Sequence, residues 1–290
     1  MQSATPTTDS VPGTSQLRLG TVTIPFATAF FWTLRIAVAA EYIGHGAFGI
    51  LRKQGWIPYF GVASIGSESA LQLMPWVGTF DIVMGIIALI SPRRIVLLHM
   101  AIWGLWTALL RPLSGEPFWE FIERSYNYGV PFVFLWWVGF GRTLRAWFEP
   151  IRIPTPDSTW EARAILFLRG IAAWMLIGHG LLGALSHKSL LAQHYGAAGL
   201  QALGMPLPQL AAFIGWFEVA LGILVFIRPW RPLLVFILVW KVVTELLHSV
   251  NHQPIWEFVE RGGAYATPIL MLLLFAVCGM QATRRRDIST

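Results

Sequence analysis

Long apolar runs, broken by short polar gaps, set the pattern of this chain. They lie near residues 25–51, 76–92, 94–112 and 127–146, and again near 163–185, 208–228, 231–249 and 264–281. A run of about 20 apolar residues is the length that crosses a bilayer core as a helix. The pattern therefore predicts eight transmembrane helices in an all-α integral membrane protein. Prolines at 92, 229 and 232 mark tight turns between runs, because proline seldom continues a helix. The run at 25–51 is not read as a signal peptide, since its like recurs in mid-chain where no signal peptide can sit.

The runs repeat as a set. "LRIAVAAEYIGHGAFG" (34–49) matches "LRGIAAWMLIGHGLLG" (168–183) at an offset of 134. "FDIVMGIIALISP" (80–92) matches "FEVALGILVFIRP" (217–229) at an offset of 137, which also places Trp103 and Thr107 on Trp240 and Thr244. "EPFWEFIERSYNYGVP" (116–131) shares eight of its sixteen residues with "QPIWEFVERGGAYATP" (253–268). The chain thus reads as a duplicated four-helix unit. Its segments are a disordered cytoplasmic tail (1–24), a first unit (25–146), a cytoplasmic linker (147–162), a second unit (163–281) and a basic tail (282–290). Four spans per unit give both units the same orientation, hence two parallel-repeat four-helix bundles.

Composition agrees with this picture. The chain is 55% hydrophobic and 12% charged, about half the charge of an average soluble domain. Its net charge of +6 does not point to nucleic acid, because the basic residues gather in the gaps between runs. With the N-terminus on one side, that side carries twelve Arg and Lys residues against six on the other. The positive-inside rule then makes both termini cytoplasmic, in a bacterial inner membrane, with the two Trp-Glu-Phe phrases outside. The single cysteine, Cys278, excludes an internal disulfide or a CxxC pair, and no metal site is predicted.

Ionisable residues within the runs carry the candidate chemistry, since each costs at least ~2.5–3.5 kcal/mol at a span centre. His45 and His179 match, as do Asp81 and Glu218; these four are the candidate catalytic groups. Arg35 and Arg169, Thr107 and Thr244, and Arg111 and His248 form further matched pairs. Depth counted at 1.5 Å per residue gathers most of these groups in the outer half of the bilayer. There the phrases containing Glu120, Glu123 and Arg124, and Glu257, Glu260 and Arg261, would roof one polar pocket per unit. Lys241 and Glu245 replace Gly104 and Ala108 and incline the second unit towards the more elaborate site, with Lys241 expected to pair with Glu218. Glu41 stands opposite Met175. His187, His194 and His252 read as surface histidines.

The residues alone leave several alternatives open. The roofing phrase is equally an interfacial helix with a structural ion pair at i, i+4 spacing. The Gly-His-Gly triplets are equally sites of close helix packing. A histidine of ordinary pKa also suits proton exchange with a quinone, and two symmetric histidines could ligate a haem.

The arginine followed by Gly-His-Gly, with "FDIVMG" and "GWFEVALGILVFIRP" in the second helix of each unit, is similar to the DoxX/DoxD family of small four-helix membrane proteins. The resemblance covers about 29–140 and 163–276. It implies a quinone-associated redox subunit, a quinone cofactor, a partner redox subunit in the bilayer, and His45, His179, Asp81 and Glu218 as a shared functional core. A carrier for a small solute or lipid, or a non-catalytic assembly subunit, fits the buried charges as well.

Overall fold

A computed structural model describes residues 16–19, 22–154 and 158–289, with side chains described over 24–154 and 159–277. A short antiparallel ribbon, β1 (Gln16–Leu19) with β2 (Val22–Pro25), precedes the first helix. This part of the expected disordered tail is therefore paired strand; residues 1–15 lie outside the described residues. The first half then contains α1 (Phe26–Ile50), α2 (Ile57–Val62), α3 (Ser67–Ile90), α4 (Arg94–Leu113), α5 (Trp119–Glu123), α6 (Ser125–Val138) and α7 (Leu144–Phe148). The second contains α8 (Ser158–Ala184), α9 (Ser189–Ala197), α10 (Leu207–Ile227), α11 (Arg231–Val250), α12 (Trp256–Val259) and α13 (Gly262–Ser289).

Among the described residues, seven helical stretches are long and apolar enough to cross a membrane. The expected helix at 127–146 is the exception: α6 has 14 residues, about 21 Å at 1.5 Å per residue. It stops at Gly139, whose φ of +77° leaves helical space. The expected helix at 76–92 instead begins at Ser67.

Helices α1, α6, α8 and α13 meet at the centre, where Phe30, Leu34, Phe134, Leu168 and Leu270 are fully buried. Large apolar side chains of α3, α4, α10 and α11, among them Trp76, Ile102, Phe213 and Val243, are exposed on the outside. That is the distribution of a surface facing lipid.

The packing of the halves accounts for the Gly-His-Gly triplets. The second glycine of each serves its own half. A Cβ on Gly46 would stand 2.4 Å from the carbonyl of Gly78, and one on Gly180 would stand 2.4 Å from that of Gly215, so α1 with α3 and α8 with α10 touch backbone to backbone. The first glycine serves the opposite half. A Cβ on Gly44 would lie 2.4 Å from the Glu260 nitrogen, and one on Gly178 would lie 2.2 Å from the Glu123 nitrogen. Helix α5 thus rests on α8, and α12 rests on α1. Each charged phrase covers the other half's first helix rather than its own.

Gly178→Val is expected to destabilise the protein by at least about 1–3 kcal/mol, because backbone leaves the new methyls no space. Gly170→Val on the same helix, where nothing lies within 4 Å, should leave the unfolding midpoint nearly unchanged. Thermal unfolding of the two variants in detergent measures the contrast.

Candidate functional site

Each Gly-His-Gly histidine turns to the acid of its own second helix. His45 Nδ1 lies 2.8 Å from Asp81 Oδ2, and His179 Nδ1 lies 2.5 Å from Glu218 Oε2. A carboxylate can only accept, so Nδ1 carries the hydrogen and Nε2 is the nitrogen left for exchange. The four candidate catalytic groups thus come together as two dyads, each a histidine with the acid of its own half.

One methylene separates the dyads. The longer Glu218 also reaches Trp240, whose Nε1 donates to Oε1 at 2.8 Å. Asp81 does not reach the matching Trp103. Trp103 Nε1 and Asp81 Oδ1 are both buried without a hydrogen-bond partner. The first half therefore keeps a free indole N–H where the second half has used its own.

A slot of about 190 Å³ opens beside this free donor. His45 stacks on Trp56 with ring centroids 4.5 Å apart and forms one wall. Trp103, Trp106 and Tyr59 supply aromatic faces, and Thr107, Arg111 and Asn127 supply polar groups. Trp106 is partly exposed on the outer surface of α4, so the slot lies at the flank of the bundle. Asn127 Oδ1 is buried without a partner.

A second cavity of about 430 Å³ lies between the halves. It is shared, in place of the expected one pocket per unit, because each roofing phrase crosses to the opposite half. Lys53 and Glu257 close one edge at 2.6 Å, and Lys188 and Glu120 close the other. Both bridges join a loop of one half to the roof of the other. Arg124 binds Glu120 at 2.9 Å and Glu123 at 3.0 Å. Arg261 binds Glu245 at 2.6 Å, Glu257 at 3.0 Å and Glu260 at 3.2 Å. Arg111 joins Glu116 and Glu120 at 3.0 and 3.2 Å. Glu120 thus meets three cations, Arg111, Arg124 and Lys188, which offset the cost of burying its charge. Burial raises the phenol of Tyr59, which donates to Glu116.

Several expectations change here. Arg35 and Arg169 line neither cavity. They bond to Leu89 O, and to Phe226 O and Ile227 O, at the last turns of α3 and α10, where carbonyls lack helical partners. Lys241 pairs with Glu245 rather than Glu218, since the two are stacked at i, i+4 on one helix. Glu245 also lies 3.5 Å from His248. These second-half groups are occupied with each other. The open slot belongs to the first half, reversing the expected preference. Thr244 donates back to Lys241 O and is buried. His194, expected at the surface, is buried in the wall of the shared cavity, with its ring 4.3 Å from that of His248.

Sequence reasoning missed Lys53, Trp56, Tyr59, Asn127, Lys188 and His194 as site residues. All but Asn127 lie in connections outside the long apolar runs. Asn127 carried one signal, since Ala264 stands at its place in the repeat.

No family model matches this chain, and no curated protein or solved structure matches it.

Burial and the nearby His248 push the His194 imidazole from 6.5 down to about 4. Between those values the unfolded chain binds a proton here and the native chain does not. Native stability therefore falls as pH drops from about 6.5 towards 4. In His194→Gln that decline should be shallower, as read from unfolding midpoints across the window; an unchanged slope would remove the assignment.

Proposed function

We propose that this chain is an eight-span membrane protein that binds a quinone, or a planar carbonyl compound of the same lipid-soluble kind, in the aromatic slot of its first half. The eighth span is α5 joined to α6: residues 119–138 supply twenty residues, matching the stretch Trp256–Val277. The two halves are parallel repeats with both termini cytoplasmic, in keeping with the bias in basic residues, and the roofs face away from the cytoplasm.

The observation that carries the ligand reading is the slot itself. Flat aromatic faces line it, a carboxylate-held imidazole stands on one wall, and two buried polar atoms, Trp103 Nε1 and Asn127 Oδ1, have no protein partner. A donor and an acceptor left unpaired at depth are costly unless a ligand or water meets them. A quinone when bound would supply reversible two-electron, two-proton chemistry. The residues would orient a flat ring between Trp56 and Trp103, and His45 Nε2 would hold or pass a proton while Asp81 fixes the tautomer. The resemblance to DoxX-type proteins supports the same reading.

A carrier for a small polar solute is the second reading. It is favoured by the shared cavity, whose two closing salt bridges join opposite halves. Solute uptake in proteoliposomes that disappears in Glu218→Gln would support it.

Lipid extraction and mass spectrometry of the purified protein should recover a quinone. Titration with a short-chain benzoquinone should quench tryptophan fluorescence saturably, and Trp103→Phe, which removes the unpaired donor that a quinone carbonyl can meet, should weaken that binding by about tenfold, the effect of ~1.4 kcal/mol. Finding neither co-purified quinone nor saturable quenching would sink the reading.

A further inference from the structure

A smaller chamber lies inward of the slot. Its volume is about 10 Å³, room for a single water or one ligand oxygen. Five residues line both spaces: His45, Trp103, Thr107, Asn127 and Glu260. Glu41, Tyr42 and Gly104 complete the chamber. Glu41 lies one turn before His45 on α1, so both side chains face the same way.

Glu41 is 3% exposed, and its Oε2 is buried without a hydrogen-bond partner. Among the described residues no cation lies within ion-pair distance of it. Trp103 Nε1 and Asn127 Oδ1, also unpartnered, belong to the same lining. Tyr42 and Thr107 are already engaged. Their hydroxyls donate to Met100 O at 2.5 Å and to Gly104 O at 3.2 Å. Three helices thus bring three unsatisfied polar atoms to a space the size of one atom.

The repeat shows that this chamber is a difference between the halves, not a by-product of the fold. The positions of Glu41, Tyr42, Gly104 and Asn127 hold Met175, Leu176, Lys241 and Ala264 in the second half. The histidine, tryptophan and threonine are kept in both. Of the three unpartnered atoms, those of Glu41 and Asn127 therefore belong to residues that only the first half has. Gly104 also permits the close approach of α6: a Cβ there would stand 2.5 Å from Asn127 O.

We infer that Glu41, in its acid form, is the hydrogen-bond donor that receives the oxygen-bearing end of the ligand, with Trp103 Nε1 as the second donor to the same oxygen. The inference rests on the slot binding a planar carbonyl compound and names the group that selects it. An isolated carboxylate at this depth would be expensive, whereas the acid avoids that cost and supplies an O–H. A ligand oxygen seated between two donors is held at one end while its ring lies in the slot. An otherwise similar hydrocarbon would leave both donors unpaired, and a site built around hydrogen bonds rejects such an analogue strongly.

Two measurements test this on the full-length protein in detergent. In the first, a short-chain benzoquinone is titrated against wild type, Glu41→Gln and Glu41→Met. Gln keeps a donor of similar size, and Met is the residue the second half carries. Glu41→Gln should bind within about threefold of wild type, and Glu41→Met about tenfold or more weakly. The infrared carbonyl band of the bound benzoquinone should shift in wild type and Glu41→Gln and return towards its free position in Glu41→Met. In the second, the ligand-free infrared spectrum at neutral pH should contain an acid carbonyl band absent from both variants. Benzoquinone binding equally well to Glu41→Met with an unshifted band overturns the inference and leaves the slot reading standing. Lack of the acid band overturns it whatever binds. If wild type carries the acid band but takes up no benzoquinone, the slot reading falls while the acid in the chamber is upheld.

Discussion

The backbone contact made by each Gly-His-Gly triplet is the constraint on which the rest of the structure depends. Three adjacent residues face three different partners. The first glycine lies under the opposite half's roof, the histidine meets the acid of its own second helix, and the second glycine presses on that helix. Any side chain at the glycines would separate helices whose spacing sets the histidine–carboxylate distance. Site geometry and the joint between halves are therefore one feature of the chain.

Around that shared frame the halves differ by small chemical steps. Asp81 for Glu218 releases an indole N–H, and Gly104 for Lys241 leaves room where the second half places an ion pair. The second half turns its charges inward on one another, through Lys241, Glu245, Arg261 and Glu257. Breaking a buried pair by removing one partner typically costs about 3–5 kcal/mol, since the survivor is left uncompensated. The second half thus has its buried charges paired with one another, while the first half leaves Glu41 Oε2, Trp103 Nε1 and Asn127 Oδ1 without partners.

The helical, apolar character and the matching of the two stretches are legible because period and offset show in the residues themselves. Asp81 and Glu218 are legible as a matched pair for the same reason, and their contacts with His45 and His179 are not. Contacts between the halves are not, because an offset says which residues correspond and not which ones touch. A reading by repeat therefore sets each roof over its own unit and puts one pocket in each. The Lys241–Glu245 pair can be read from its i, i+4 spacing, which competes well against a partner on another helix. Arg35 and Arg169 mislead because a cation near a helix end can bind carbonyls as readily as a ligand. Trp56, Tyr59 and His194 lie in connecting segments, where no periodicity shows which way a side chain faces.

The crossed roofs also bear on how the chain is made. Helix α5 is synthesised before α8, the surface on which it rests, and α1 waits for α12, about 200 residues further along the sequence. During that interval the acids and arginines of the first roof have no seat, and the groove above His45 is uncovered. The first half cannot reach its finished form while it is the only half present. The contacts that finish the first half are thus supplied by segments that lie further along the sequence, in the second.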